Sequence, residues 1–579
     1  MGNRSAVFKF FVILFLITVI FMQMLSMKQS DRLYERVNDL EKKVAKLPSS
    51  SGVYTPVQTA GSSEKDGDWL ISRIGAEPPT LNPITARDYY ATIICTGSGS
   101  TPPNIFETLL VADPDTGEYG GLLARSWKIS EDGLTVDFQL KDNIHFSDNH
   151  PVTADDVVFS FGLIKNPKID NAHLANYFED VVSCERINDT DVRFKMSQVY
   201  FKSLEIVGTM PIVPEHIYRF TDENQFNQNR TNPVGSGPYI FDKWEVGSSI
   251  SLVRNENYWG VKPHIKKQVF KVITNDLAAL SAMRSNEIDL VATPPEQFIK
   301  LSADTDFLKG YNPIEYWNPT GGYSYIGWNM ESKFFSDKRV RLAMTHLVDR
   351  ESIRDNIYEG MAKIVVGPFY INSPQYDHSI KQWPYDPKEA ARLLDEAGWK
   401  DTDGDGLRDK DGVPFRFRFL VTSGNDTRER ILKLLKDDFA KAGIELVPDT
   451  YEWSVFIQRV MDKQFDATTL AWTGVMEADP YQVWHSSQTT AGGCNRIGFN
   501  NPEADRLIVE ARRTLDKDKR NELYFKFQQV LHEEQPYTFM FATPSLGFVS
   551  NRFENVKQHN LGLNMNEWFV PADKQRYKE

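Results

Sequence analysis

The chain is poor in cysteine. Three occur in 579 residues, Cys95, Cys184 and Cys494, far apart and without Cys-x-x-Cys spacing. That excludes a disulfide-dense scaffold and a cysteine-built zinc site. One long-range disulfide is compatible with the count, and the sequence does not choose the pair. Basic charge is short as well: 66 Lys and Arg face 79 Asp and Glu, for a net charge of -13. No basic stripe is present to neutralise phosphates, so no nucleic-acid partner is expected. The chain lacks a Gly-x-Ser-x-Gly elbow, a His-Glu-x-x-His pair and a P-loop. The Gly97-Ser-Gly99-Ser run has no third glycine, and His532-Glu-Glu-Gln-Pro536 has no second histidine. No catalytic centre follows from these residues, and neither enzyme activity nor a required cofactor is expected. Internal repeats are absent too.

What is present begins with one long apolar run, Phe8 to Leu25, about long enough to cross a bilayer as a helix. Arg4 and Lys9 stand at its start, which keeps the short N-terminus inside and sends the bulk across. Its end, Met22-Gln-Met-Leu-Ser-Met27, offers neither a small-x-small cleavage site nor a cysteine for lipid. An uncleaved single-pass anchor over residues 1–27 is therefore expected. Leu33, Val37, Leu40, Val44 and Leu47 follow at spacings of 4, 3, 4 and 3, a heptad seam within 28–47. It reads either as a short parallel coiled coil, which would make a homodimer, or as a lone amphipathic stalk. Residues 48–67, rich in Ser, Gly, Thr and Pro, read as a flexible linker.

From about Trp69 the signals mix. Alternating runs at Leu134–Leu140, Phe415–Leu420 and Phe465–Trp472 predict strands. Helices are predicted from Ala154 behind Thr153 as N-cap, at Asp337–Leu347, Pro387–Ala397 and Thr427–Ala442, and as one long helix from Pro502 to about Glu534. The length calls for about two or three domains, and the pattern is mixed α/β.

The most informative stretch is Leu470 to Trp484. A strand ends in Trp472, runs out at Gly474, and opens into a loop bearing Glu477, Asp479 and Pro480. An indole wall, freed backbone and nearby carboxylates can line a cleft; a core Trp before an ordinary surface loop is the plainer reading. A second stretch, Asp401-Thr-Asp403-Gly-Asp405-Gly-Leu-Arg-Asp409, has the spacing of a calcium loop. Its twelfth position is Gly412 rather than Glu, and a strand follows instead of a helix. A structural calcium on Asp401, Asp403, Asp405 and Asp409 and a cation-free pair of turns both remain open.

An ordered set of segments carries a family resemblance. They are Gly75–Pro83 (GAEPPTLNP), Leu123–Trp127 with Ser130–Thr135, Pro151–Val157, Asn232–Tyr239 (NPVGSGPY), Arg339–Ala343 with Val348–Arg350, and Asn500–Asp505. Together they resemble the extracellular solute-binding proteins of family 5, the peptide- and nickel-binding receptors of ABC importers. The resemblance implies an α/β, two-lobed periplasmic-binding-protein fold, type II-like, with an extra inserted domain, here preceded by the transmembrane helix and short coiled coil. Domain I is then 68–110, 230–318 and 541–579; domain II, the insertion, 111–229; and domain III, the second lobe, 319–540. The lobe crossings are expected near Tyr311–Trp328 and Tyr537–Thr543.

By the same resemblance, Trp472, Thr473, Gly474, Asp479 and Pro480 match the family's ligand loop. The Asp that receives a peptide's α-ammonium in that loop is replaced here by Val475, and Glu477 is a substitute if the loop bends back. Arg87, Tyr89 and Tyr90 are expected to approach from the first lobe, with Arg87 forking onto a ligand carboxylate. Tyr323, Tyr325 and Phe541 lie at the hinges. The implied function is a receptor at the cytoplasmic membrane, its bulk periplasmic or extracellular, that hands a peptide or peptide-like solute to an ABC permease. Oligosaccharide or metal-chelate binding, and sensing without transport, are the alternatives.

Overall fold

The strand Trp69–Ile74 buries Leu70, Ile71 and Ile74, as a central strand covered on both faces must. It pairs in parallel with Lys267–Val272 and Leu290–Ala292 at the middle of a seven-stranded sheet. The computed structural model describes residues 65–86, 88–97, 102–228, 232–490 and 493–577, except for the side chains at 172, 173 and 320. The expected anchor, heptad stretch and nearly all of the linker lie outside these residues, as does Arg87. Among the described residues no helix is long and apolar enough to cross a membrane.

The folded part starts slightly before Trp69. Gly67 N–H donates to His264 O at 3.0 Å, and Asp68 is buried beside Arg552. Arg552 also grips Asp289, with Nη2–Oδ2 at 2.6 Å. These three buried charges satisfy one another, and they stitch the first strand to the last segment of the chain.

A second sheet orders its five strands Glu445–Tyr451, Arg416–Thr422, Ala467–Trp472, Tyr323–Trp328 and Tyr537–Phe539. Its side chains alternate between two cores. Ile326, Trp328, Phe417 and Phe419 face one, and Tyr323, Tyr325, Leu420 and Phe539 the other. A third, antiparallel sheet holds Ala124–Ile129, Thr135–Leu140, Asp191–Met196 and Val181–Arg186. The chain leaves the first sheet after Tyr316, enters the second at Tyr323, and returns between Phe539 and Ser545.

Several helices form where their end signals lie. Asp156 reaches back to the Thr153 N–H at 2.9 Å at the start of Ala154–Lys165. Asn425 caps Asp426–Lys441, accepting from the Arg428 N–H at 2.8 Å. The single helix expected from Pro502 to Glu534 is instead two, Pro502–Arg513 and Lys517–Glu534. Thr514 is extended, and Asp516 caps a new start by accepting from the Lys519 N–H at 3.1 Å. Arg520 fills the break, donating to Thr514 O at 2.6 Å and Leu515 O at 3.0 Å. This break brings Arg512 and Arg520 to the functional loop.

Candidate functional site

The strand Ala467–Trp472 pairs along its length with Tyr323–Trp328 and ends at the indole. Trp472 is half-buried; its Nε1 donates to the Tyr537 hydroxyl at 3.4 Å. Its ring lies 11° from parallel to Tyr325, which in turn stacks on Tyr537 at 3.8 Å. Tyr325 is thus a buried support behind the indole. At Gly474 a Cβ would come within 2.6 Å of Pro319 O, so only glycine lets the loop turn against the crossing segment.

Trp472, Thr473, Gly474, Val475 and Asp479 line a cavity of about 420 Å³, within the range of ligand pockets. The facing wall comes from the chain around the third sheet: Tyr177, Phe178, Tyr200, Lys202, Glu205 and Ile206. Its charges are already matched. Asp479 accepts from the Tyr200 hydroxyl at 2.6 Å, Arg512 Nε at 3.0 Å and the Tyr481 N–H at 3.0 Å. Burial, then the adjacent Asp479 carboxylate, push the Tyr200 phenol well above its ordinary pKa, so it remains a donor. Lys202 pairs with Glu205 at 2.6 Å and donates to Glu477 O at 2.9 Å. Glu477 is not among the residues lining the cavity; Arg520 holds its carboxylate.

On the other face of the same sheet lies a cavity of about 270 Å³. Thr469 and Ala471 border it, with Pro294 and Pro295 from the first lobe, and Met540 and Phe541 from the return crossing. Phe541 is buried against Tyr358, ring centroids 4.9 Å apart. One charged residue lines this cavity, Arg428. Its guanidinium has neither ion pair nor hydrogen bond among the described residues. Burial lowers its pKa, with the Tyr358 phenol opposing that shift. A cation in the first turn also stands against the helix dipole. This residue escaped the sequence reading, and that misplaced cation was the signal to notice.

The remaining candidates lie elsewhere. Tyr89 is 52% exposed on the helix Tyr89–Cys95 and lines neither cavity. Ligand oxygens of Asp401, Asp403 and Asp405 lie within 4.8 Å of one another on the surface. Asp409 is turned away from them and accepts from Thr402 N–H at 2.9 Å and Thr402 Oγ1 at 2.7 Å. No disulfide joins the three cysteines.

Residues 118–493, more than half the chain, match the family model for bacterial extracellular solute-binding proteins, family 5, middle region. The chain belongs to this family. Members of family 5 are solute-binding receptors. This receptor is 30% identical over 544 residues to the oligopeptide-binding protein AppA of Bacillus subtilis, covering 90% of this chain and 95% of the relative. It is 27% identical over 440 residues to the dipeptide-binding protein of Escherichia coli, covering 72% and 79%. Among solved structures it resembles AppA from Bacillus subtilis with a nonapeptide, at TM-score 0.81 and 28% identity, over 88% of this chain and 99% of that one. It also resembles NikZ from Campylobacter jejuni with Ni(L-His), at TM-score 0.75 and 25% identity, over 87% and 99%. The two-lobed α/β fold of the family 5 receptor follows from these matches.

Proposed function

We propose that this family 5 receptor captures a peptide between its lobes and delivers it to an ABC permease. The observation that carries the peptide reading is Arg428, a single unmatched guanidinium at an otherwise uncharged interlobe cavity. A guanidinium presents paired donors whose geometry fits a carboxylate, and every peptide with a free C-terminus has one. Trp472 supplies an apolar platform on the opposite face of the sheet. The oligopeptide- and dipeptide-binding names of relatives agree with this reading.

Residues 8–25 serve as the tether in this proposal, which raises the local concentration of receptor at its permease, and the heptad seam pairs two stalks. Both rest on the sequence alone. A structural calcium on Asp401, Asp403 and Asp405 is a separate proposal, supported by the convergence of those carboxylates. Native mass spectrometry of the full-length receptor in detergent tests the main reading. Co-purifying masses are expected to resolve into peptides. Recovery of an oligosaccharide or a metal–histidine complex, with no peptide raising the melting temperature, would overturn it.

A further inference from the structure

Beside the Arg428 cavity lies a smaller interlobe groove of about 60 Å³, and Pro294 and Thr427 line both spaces. Two cations and three carboxylates border the groove. Arg73 is spent on Asp276, Nη2–Oδ1 at 2.7 Å, and on Ile273 O at 2.8 Å. Arg430 is spent on Glu296 across the lobes, Nη1–Oε2 at 2.9 Å, and on Asn356 O at 2.9 Å. Asp426, exposed at the second-lobe side, has neither ion pair nor hydrogen bond among the described residues. Facing it from the first lobe, the Thr293 hydroxyl and the Gln297 carbonyl oxygen are buried without a partner. Asp426 and Arg428 stand two apart on the helix Asp426–Lys441, so they point to different flanks of Thr427 and do not neutralise each other. One space therefore keeps an unmatched cation, and the space next to it an unmatched acid with two unmatched acceptors.

We infer that this groove is a second ligand subsite, in which Asp426, Thr293 and Gln297 receive a primary ammonium carried close to the ligand's carboxylate. This rests on the peptide reading above. An ammonium has three donors and no acceptor, which is the complement of a carboxylate, a hydroxyl oxygen and an amide oxygen. A water molecule would satisfy the two neutral acceptors but would leave the excess negative charge in place. Leu280, Met283 and Ile357 supply apolar wall for the methylenes that lead to such a head. Two sources offer this chemistry within about two residues of a C-terminus: the α-ammonium of a dipeptide and the ε-ammonium of a C-terminal lysine.

Calorimetry on the full-length receptor with three dipeptide acids tests this. N-acetyl-Ala-Lys carries only the ε-ammonium, Ala-norleucine only the α-ammonium, and N-acetyl-Ala-norleucine neither. At least one of the first two is expected to bind tenfold or more tightly than the third, and the one that does names the source. Asp426→Asn is expected to abolish that advantage; the position is exposed, and a level melting temperature checks that the fold is intact. Binding of the third ligand as tight as that of the other two overturns the inference and leaves the peptide receptor standing. An advantage that survives Asp426→Asn overturns it as well. Binding by none of the three overturns the inference, and if a mixed peptide library also fails to shift the melting temperature, the peptide reading falls with it.

Discussion

The Tyr200 hydroxyl and the Asp479 carboxylate meet at 2.6 Å, although 279 positions separate them in the chain. Arg512 Nε joins the same oxygen at 3.0 Å, and its guanidinium lies 4.5 Å from the Tyr200 ring centre. The contact ties the third sheet's region to the loop that follows Trp472, so the loop that lines the cavity also fastens its two walls. Tyr200→Phe removes the donor and keeps the ring. It is expected to shift the unliganded receptor toward an open form, read as a larger radius of gyration by small-angle scattering. Arg512→Ala leaves Asp479 buried without its cation and is expected to cost roughly 3 kcal/mol, seen as a lower melting temperature.

Arg428→Ala is expected to separate binding from stability. Affinity for peptide acids falls by about a hundredfold, roughly 2.7 kcal/mol, in calorimetry. Thermal stability without ligand stays level or rises, because a half-buried guanidinium with no partner is removed. A fall in both would make Arg428 a scaffold residue.

Trp472→Ala removes the platform that Tyr325 and Tyr537 support. Peptide affinity is expected to weaken tenfold or more, at least about 1.4 kcal/mol. Unchanged affinity would assign the indole to packing alone.

Glu107 provides a pH signature. Burial pushes its carboxyl up to about 7, against hydrogen bonds from the Tyr258 hydroxyl at 2.6 Å and Trp259 Nε1 at 3.0 Å. The unfolded group titrates near about 4.3. The folded state thus holds its proton longer, and this contribution is fully present below about pH 4 and lost as pH rises through about 7. Glu107→Gln is expected to flatten the decline in stability between about pH 5 and 7, worth roughly 2–3 kcal/mol, in denaturation curves at stepped pH.

Calcium is expected to raise the melting temperature of the receptor, and a chelator to reverse the shift. Asp403→Ala should abolish the effect, while Asp409→Ala should leave much of it, since Asp409 bonds to Thr402 rather than joining the carboxylate cluster. A melting temperature indifferent to calcium would leave the loop as paired turns.

Much of the local architecture was legible in the chain. Asn425 as a cap, the strand ending at Trp472 and the alternation of Phe417 and Phe419 are written in neighbours a few residues apart. The split of the helix after Arg513 was missed because its cause is mixed. Asp516 is a local cap, but Arg520 binding the exposed carbonyls is also drawn to Glu477 from another element.

Sequence alone determined many of the elements, the family resemblance and the absence of an acid at position 475, because periodicity, caps and residue identity are local properties. Only the tertiary structure decided which charges are spent. Glu477 sits within the ligand loop by sequence and is consumed by Arg520; Arg428 sits within an ordinary helix by sequence, and its guanidinium has no ion pair among the described residues. The reason is Coulombic. A charge's role depends on what lies within a few ångströms of it, and those neighbours are brought there by the fold.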